Sequence, residues 1–323
     1  MLDKNAKIYI AGHKGLVGSG FKRRLQANGF NNLLLRDHSD LDLIRQNLVD
    51  RFFDTERPEY VLLAAARVGG IMANSTYPAN FIHENLAIQT NVVNAAFKYG
   101  VARLIFLGSS CIYPRDCAQP IKEDYLLTGP LEQSNAPYSI AKIAGIELCR
   151  AYNRQHHTKF LSVMPSNLYG PGDNYDLADS HVLPALLRKT HEAKESGSST
   201  VEIWGTGQPR REFLYVDDMV DACIHLLNLE TQKLQNILDD DEAPGLLNIG
   251  YGEDLTISEL VEKIAETVGF KGDVVCDTDK PDGTPRKILD GERIRNLGWK
   301  PSTTLQEGLR LTYESFLHEQ SLA

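Results

Sequence analysis

A glycine-rich turn near the start of the chain constrains the fold more than any other feature. Gly12, Gly15 and Gly18 stand between an apolar run, residues 7–11, and an amphipathic stretch, residues 16–28. Glycines at such a turn let backbone amides approach a pyrophosphate at the positive end of a helix. The spacing departs from the usual G-x-G-x-x-G fingerprint, and a glycine triplet alone also fits a plain strand-to-helix turn. The strand before it and the helix after it favour a dinucleotide site.

Short apolar runs recur along the first half of the chain. They span residues 32–35, 60–65, 104–107 and 160–164, and helical stretches of ten or more residues lie between them. Such runs are typical of parallel strands that are buried on both faces. The pattern predicts an α/β fold with a doubly wound parallel sheet of the Rossmann type.

The second half is predicted to form a smaller α/β domain that binds substrate. The alternation weakens after residues 170–172, and polar segments at 196–199 and 235–245 resemble surface loops. Residues 246–249 resemble a strand that returns to the main sheet, which makes the domain boundary discontinuous. Asp217 and Asp218 precede an apolar helix and are predicted to cap it. The predicted domains are residues 1–172 with about 213–251, and about 173–212 with 252–323.

Composition limits the partners and the compartment. The net charge of -9 and the lack of a basic run argue against nucleic-acid binding. The N-terminus lacks an apolar signal core and no later stretch approaches a membrane span, so we expect a cytoplasmic protein without membrane contact. The five cysteines, at positions 111, 117, 149, 223 and 276, lack paired metal-ligand spacing. We therefore expect no metal and no disulfide framework.

The residues after the second strand indicate which nicotinamide cofactor to expect. An acidic residue there binds a ribose hydroxyl, whereas cations accommodate a 2'-phosphate. Arg36 occupies this place, Lys14 lies in the glycine turn and His38 is nearby, although Asp37 is adjacent. The pattern favours NADP(H) over NAD.

Two further segments are predicted to line the adenosine half of the cofactor. Asp42 and Leu43 follow the second strand, and Ala64, Ala65 and Ala66 follow the third. Small alanines there would admit the cofactor closely, although core packing explains three alanines as well.

A serine, a tyrosine and a lysine form the strongest chemical signal. Tyr138 and Lys142 stand four residues apart, so a helix places phenol and ammonium on one face. A fixed ammonium favours the phenolate, and we expect it to lower the pKa of Tyr138. Lys142 is also expected to hold the nicotinamide ribose. Ser109 and Ser110 close a strand at its carboxyl end, where open α/β sheets bind ligands, and the Ser109 hydroxyl can reach a substrate carbonyl.

Cys111 and His181 are candidates for further proton transfers. Cys111 stands two residues past Ser109, and a thiol with a reference pKa of about 8.5 can act as a base near neutral pH. His181 begins the second half, and imidazole exchanges protons near neutral pH. Spacing alone leaves a buried small residue and a structural or exposed histidine as open alternatives.

Longer segments resemble a known family. Phe-Leu-Gly-Ser-Ser-Cys-Ile-Tyr-Pro at 106–114, Ala-Pro-Tyr-Ser-Ile-Ala-Lys at 136–142 and Lys-Pro-Asp-Gly-Thr-Pro-Arg-Lys at 280–287 are much more specific than the glycine turn. They look like the GDP-L-fucose synthase family of extended short-chain dehydrogenase/reductases. The likeness spans nearly the whole chain, although the family often carries arginine where His38 stands.

The resemblance implies a bifunctional reaction. GDP-4-keto-6-deoxy-D-mannose would be epimerised at C3 and C5 and then reduced by NADPH at C4 to GDP-L-fucose. Cys111 would be the base and His181 the acid, while Ser109 and Tyr138 would stabilise the oxyanion before Tyr138 protonates the oxygen. The family also implies a homodimer through helices near residues 80–99 and 138–155. The implied cofactor contacts add His13, Leu16, Val17, Leu107, Gly108, Ser110, Pro165, Ser166, Asn167, Leu168 and His181.

The resemblance also assigns a substrate side to the second half. Cations there would bind the diphosphate, and an aromatic face would contact base or sugar. Other interpretations stay open, because Trp204 fits a core position and Lys189 with Arg188 fits a solvated helix face. Only the family register selects Arg211 over the adjacent Arg210. The implied contacts are Lys189, Trp204, Arg211, Asp282 and Lys287.

Two other functions remain possible from the sequence. One is a nucleotide-sugar epimerase or dehydratase of the same superfamily, which keeps its cofactor through turnover without net reduction. The other is a nucleotide-binding regulatory or scaffold protein, since a fold does not fix a function.

Overall fold

The computed structural model describes residues 2–177, 180–280 and 282–322, and every predicted site residue lies in these ranges. The strands are β1 (Ile8–Ala11), β2 (Leu33–Leu34), β3 (Tyr60–Leu63), β4 (Arg103–Leu107), β5 (Phe160–Pro165), β6 (Asn167–Tyr169), β7 (Thr200–Trp204), β8 (Arg210–Tyr215), β9 (Leu246–Ile249), β10 (Asp254–Thr256), β11 (Asp273–Asp277) and β12 (Arg286–Lys287). The helices are α1 (Leu16–Ala27), α2 (Gln46–Glu56), α3 (Ile71–Thr76), α4 (Pro78–Lys98), α5 (Ala136–His156), α6 (Val182–Ser196), α7 (Val216–Leu227), α8 (Thr231–Leu238), α9 (Ile257–Val268), α10 (Glu292–Asn296) and α11 (Leu305–Leu322).

The main sheet has six parallel strands in the order β2-β1-β3-β4-β5-β9. This confirms the predicted doubly wound fold. Strand β9 pairs with β5, with Ser162 opposite Leu246, so residues 246–249 return to the main sheet as predicted. Strands β2 and β3 are shorter than expected and end at Leu34 and Leu63.

Each face of the main sheet carries its own apolar core. Successive side chains of a strand point to opposite faces. Accordingly, Tyr9 packs in the core beneath α2, α4 and α5, whereas Ile8 and Ile10 pack beneath α1 and α7. Burial on both faces explains why these strands are continuous apolar runs.

The second half builds a further core on smaller sheets. Strand β8 pairs with β6 and β12 in parallel and with β10 antiparallel, and β7 pairs with β11. Helices α6, α9 and α11 pack there around a third apolar cluster. Residues 231–238 form α8, so the predicted surface loop at 235–245 is partly wrong. The domain limits stay a prediction.

The predicted cap of α7 is also wrong. Asp217 and Asp218 lie inside its first turn, after Tyr215. Asp217 pairs with Arg23 of α1, and Asp218 accepts hydrogen bonds from Ser302 and the backbone of residue 303. Both carboxylates therefore tie α7 to neighbouring segments. Within the described ranges, no helix is long and apolar enough to span a membrane.

Candidate active site

The glycine turn is closed tightly and leaves no room for side chains. Gly12 has φ +86°, and a Cβ there would lie 2.8 Å from the backbone nitrogen of Ala65. A Cβ at Gly18 would overlap the carbonyl oxygen of Gly12, whereas at Gly15 it would lie 3.6 Å from that oxygen. Gly15 begins α1 without a side-chain cap. The turn thus presents the start of a helix next to β3, an arrangement that fits a dinucleotide diphosphate.

Two ion-pair groups flank this turn. Asp37 lies between Lys14, with Nζ at 2.6 Å, and His13, with Nε2 at 3.2 Å. Arg36 instead donates to Glu56 at 2.5 Å. The Lys14 hydrogen bond holds the pKa of Asp37 below its usual value. His13 Nδ1 is buried without a partner in the described residues, so a polar atom remains for a ligand.

The other predicted cofactor contacts follow the ends of neighbouring strands. Ala64 donates its backbone N–H to Ala11, which places the alanine triplet beside the glycine turn. Asn167 donates to the Glu212 carbonyl at 2.9 Å, and Ser166 Oγ is buried without a partner in the described part of the chain. His38 is exposed. Asp42 accepts from a backbone N–H and Leu43 is buried.

Ser109, Tyr138 and Lys142 meet at the carboxyl end of β4. Ser109 begins a 3-10 turn at Ser110–Ile112. Its hydroxyl accepts from the backbone N–H of Cys111 at 3.3 Å and also hydrogen-bonds Tyr138. Lys142 donates to the Leu107 carbonyl at 2.7 Å and lies 5.8 Å from the centroid of the Tyr138 ring. The predicted catalytic trio is therefore one cluster.

Burial has the largest effect on the pKa values of Tyr138 and Lys142. It raises the pKa of Tyr138, the charge of a Cys111 thiolate raises it further, and the Ser109 hydrogen bond lowers it. Burial also lowers the pKa of Lys142 to about 8. The expected lowering of the Tyr138 pKa by Lys142 is therefore wrong: burial has the largest effect on this pKa and raises it.

Cys111 lies beside a lysine from the far end of the chain. Lys287 Nζ is 3.9 Å from Cys111 Sγ. Strand β12 pairs with β8 and sets Lys287 opposite Arg211. The adjacent Ile288 donates its N–H to Gln119, which holds the loop after Cys111 against β12. The contact therefore places a positive charge beside the sulfur.

His181 stands at the N-terminus of α6. Its side chain is accessible to solvent, yet the surrounding protein desolvates the ring enough to lower its pKa. The ring is therefore partly desolvated by nearby protein while solvent still reaches the residue. The structure describes no contact that joins His181 to Ser109, Cys111 or Tyr138.

Arg210 and Arg211, on the predicted substrate side, have different partners in the structure. Arg210 pairs with Asp254 at 2.9 Å, whereas Arg211 donates to the carbonyls of Arg210 and Thr284 and has no carboxylate partner in the described ranges. Burial lowers the pKa of Arg211. Arg211, whose half-buried guanidinium lacks a described carboxylate partner, is therefore the arginine suited to an anion.

Trp204 is not a core residue, since 60% of its side chain is exposed. Lys189 and Lys280 lie 5.6 and 5.8 Å from its ring centroid. Asp282 accepts from the N–H and hydroxyl of Thr206 at 2.9 and 2.8 Å. An exposed aromatic face between two cations is suited to a base or sugar with a nearby phosphate.

Comparison with known proteins agrees with this geometry. Residues 8–249 match the NAD dependent epimerase/dehydratase family. The chain belongs to this family. It is 54% identical to GDP-L-fucose synthase 1 of Arabidopsis thaliana, covering 98% of this chain and 95% of that protein. It is 50% identical to GDP-L-fucose synthase of Escherichia coli K12, covering 97% of each.

Solved structures of similar proteins share the whole fold of this epimerase/dehydratase. A GDP-mannoheptose C4 reductase from Campylobacter jejuni with NADP bound has a TM-score of 0.89 at 40% identity, covering 98% of this chain and 100% of that one. A GDP-L-fucose synthetase from Naegleria fowleri bound to NADP has a TM-score of 0.87 at 26% identity, covering 100% and 96%.

One residue of this epimerase/dehydratase escaped the sequence analysis. Glu212 of β8 is fully buried and accepts backbone N–H groups from Gly252 and Leu289 at 2.7 and 3.0 Å. Burial raises its pKa to about 7, although these amides act to lower it. The sequence does carry a signal for this residue, because Glu212 is a charged residue at the start of the apolar segment Glu-Phe-Leu-Tyr-Val. Glu212 joins the end of the main sheet to the segment that carries Lys287.

Proposed function

We propose that the protein is a bifunctional GDP-L-fucose synthase. It converts GDP-4-keto-6-deoxy-D-mannose to GDP-L-fucose by epimerisation at C3 and C5 and NADPH-dependent reduction at C4. The observation that carries the proposal is the cluster at the end of β4, where Ser109, Tyr138 and Lys142 adjoin a thiol held beside Lys287. The plant and bacterial relatives named as GDP-L-fucose synthases support the substrate.

The thiol and the imidazole serve the epimerisations. The Cys111 thiolate removes the proton at C3, and the electron pair moves onto the C4 carbonyl oxygen. Ser109 and Tyr138 stabilise this oxyanion by donating hydrogen bonds. His181 returns a proton on the opposite face, which inverts the centre. Cys111 then releases its proton to water and His181 takes one up from water, after which the same pair acts at C5.

Reduction uses the same tyrosine. Bound NADPH supplies a hydride for C4. Tyr138 donates its phenolic proton to the C4 oxygen as the carbonyl becomes an alcohol. Lys142 lies behind Tyr138 and supplies positive charge that offsets the phenolate left after this transfer. The glycine turn and His13 hold the diphosphate and neighbouring groups of the nucleotide.

The second half holds the sugar nucleotide. Arg211 and Lys287 lie opposite each other on paired strands and present two positive charges toward a diphosphate. Trp204, with Lys189 beside it, offers an exposed ring for the guanine or sugar. Asp282 orients the turn next to Trp204 through Thr206.

Proton exchange tests the proposal. We expect wild-type protein with the 4-keto sugar nucleotide and NADPH in heavy water to give reduced product with deuterium at C3 and C5. Cys111→Ser should bind NADPH normally but slow both incorporations by about a hundredfold or more, since a hydroxyl is a much weaker base. Cys276→Ser is the matched control, because Cys276 lies on exposed strand β11. Normal exchange in Cys111→Ser would contradict the assignment.

The family also contains epimerases and dehydratases that make no net reduction. The family match favours this second candidate as strongly as the first. Consumption of one NADPH per sugar nucleotide, followed by absorbance, separates the two. Tight NADPH binding without any turnover would point instead to a binding protein.

The proposal also includes a homodimer and a cytoplasmic location. Helices α4 and α5 pack together and expose Phe97 and Ile140, which offers an apolar face to a second copy in a homodimer. Light scattering should give twice the mass of 36.0 kDa, and Ile140→Lys should give the monomer. The cysteines are free, as is typical of a cytoplasmic protein.

A further inference from the structure

A fully buried amide lies inside the last strand of the main sheet. Asn248 of β9 is inaccessible to solvent, and its neighbours in the strand, Leu246, Leu247 and Ile249, are all apolar. Burying an amide costs free energy unless its polar atoms are hydrogen-bonded, and an apolar residue would fill the same space without that cost. The partners of this amide therefore indicate what it holds in place.

Both ends of the Asn248 amide are bonded to the loop that follows Cys111. The carbonyl oxygen Oδ1 accepts a hydrogen bond from the Tyr113 hydroxyl at 2.6 Å, and Nδ2 donates to the Ile121 carbonyl at 2.9 Å. The backbone N–H of Asn248 donates to the buried Glu123 carboxylate at 2.8 Å. Because these groups are buried, water cannot replace a partner that moves away. The loop is thus held to a central element of the fold.

One arm of this network leads to Lys287. Ile121 donates its N–H to the Ile288 carbonyl at 2.8 Å, and its own carbonyl accepts the N–H of Asp290 at 2.7 Å. Lys287 directly precedes Ile288 in the chain. Only Ile121 therefore stands between the amide of Asn248 and the segment that carries the ammonium.

The other arm leads to the thiol. Tyr113 directly follows the 3-10 turn Ser110–Ile112, in which Cys111 lies. Its hydroxyl bond to Asn248 fixes the end of that turn against β9. Lys287 Nζ lies 3.9 Å from Cys111 Sγ. One buried amide is thus bonded to both segments that bring the thiol and the ammonium together.

We propose that Tyr113 and Asn248 are positioning residues that set the distance between Cys111 and Lys287. The inference rests on the proposed function only in taking Cys111 as the base of the epimerisations. The attraction between an ammonium and negative charge on a sulfur falls as their separation grows. A network anchored on the main sheet keeps the two groups together before any substrate binds.

The alkylation rate of Cys111 by iodoacetamide tests the inference without substrate. In the wild type, Lys287→Met should slow the reaction at pH 7.5 by about tenfold. Doubling the distance between two charges halves their Coulomb energy, so in a Tyr113→Phe or Asn248→Leu background Lys287→Met should slow it only about threefold. Mass spectrometry of the peptide that contains Cys111 measures the four rates. A role in stability alone would leave the full effect of Lys287→Met in both backgrounds.

Tyr152→Phe is the matched control. Tyr152 of α5 donates its hydroxyl to Asn94 of α4 at 2.8 Å, so this variant also loses a hydrogen bond from a tyrosine to an asparagine side chain. In the Tyr152→Phe background, Lys287→Met should keep its full effect of about tenfold.

The Tyr113→Phe background decides the outcome, because this variant keeps its ring in the core even if Asn248→Leu does not fold. An effect of Lys287→Met that stays at about tenfold there would overturn the inference. An effect below about threefold in the wild type would overturn it as well. The expected rates, together with normal deuterium exchange in Cys111→Ser, would support the inference and count against the proposed function alone.

Discussion

Single ammonium groups decide much of the chemistry at the carboxyl end of β4. Lys142 is 4% exposed and bonds a backbone carbonyl, whereas Lys287 bonds the thiol of Cys111. A buried ammonium loses its hydration, while one beside a thiol attracts negative charge that develops on the sulfur during a reaction. We therefore expect Lys142 to affect how stability depends on pH, and Lys287 to affect how fast Cys111 reacts.

Burial of Lys142 makes stability depend on alkaline pH. Its folded pKa of about 8 lies below the unfolded value, so the unfolded chain binds more protons between about pH 8 and 10.5 and stability rises over that window. The free energy of unfolding of wild type, minus that of Lys142→Met, should increase by about 2 kcal/mol from pH 7.5 to 9.5. Urea denaturation of both proteins at the two pH values measures it. A difference that stays constant would contradict the burial of a charged lysine.

The Lys287 contact predicts a reactive thiol in the free protein. Lys287→Met should slow alkylation of Cys111 by iodoacetamide at pH 7.5 by about tenfold, because the variant loses the ammonium that attracts negative charge on the reacting sulfur. Lys287→Arg keeps the charge and should retain most of the rate. Mass spectrometry of the peptide containing Cys111 measures the rate without substrate. Equal rates in all three proteins would leave Lys287 only a role in substrate binding.

At the scale of elements, the candidate site is formed by loops that follow the ends of strands. The turn between β1 and α1 is built against the loop after β3, and the segment with Lys287 is built against the loop after Cys111. Parallel strands bring these loops to one edge of the sheet. Close backbone packing there makes some glycines indispensable and others replaceable.

Two glycines of the same turn should respond differently to alanine. Gly18→Ala places a Cβ against the Gly12 carbonyl and should reduce the free energy of unfolding by about 2 kcal/mol. Gly15→Ala has an ordinary 3.6 Å contact and φ -78°, so it should keep its stability. Urea denaturation measures both. A Gly18→Ala protein as stable as Gly15→Ala would show that the turn can open.

At the scale of the molecule, the site lies where two sets of strands meet. The end of β4 and helix α5 supply Ser109, Tyr138 and Lys142, and the smaller sheet around β8 supplies Arg211 and Lys287. Glu212 lies between them and binds backbone groups after β9 and β12. Its carboxylate therefore fixes the distance between the two halves of the site.

Loss of this link should affect stability and substrate binding together. Glu212→Ala leaves the buried N–H of Leu289 and the part-buried N–H of Gly252 unpaired and should lower the free energy of unfolding by about 2 to 4 kcal/mol. Substrate KM should rise, because the carboxylate binds the backbone N–H of Leu289, two residues after Lys287. Glu202→Ala, on the exposed face of β7, is the control. A stable Glu212→Ala protein with normal KM would rule out this coupling.

The sequence by itself determined the doubly wound sheet, the glycine turn and the placement of Tyr138 and Lys142 on one helix. These features follow from local spacing, because strand periodicity, helical i, i+4 pairs and glycine geometry are set by nearby residues. Only the tertiary structure decided the partners of charged groups. It brought Lys287 to Cys111 across 176 positions and bound Arg210 but not Arg211 to a carboxylate. Contacts between distant segments depend on how strands pair and pack, which local patterns do not encode.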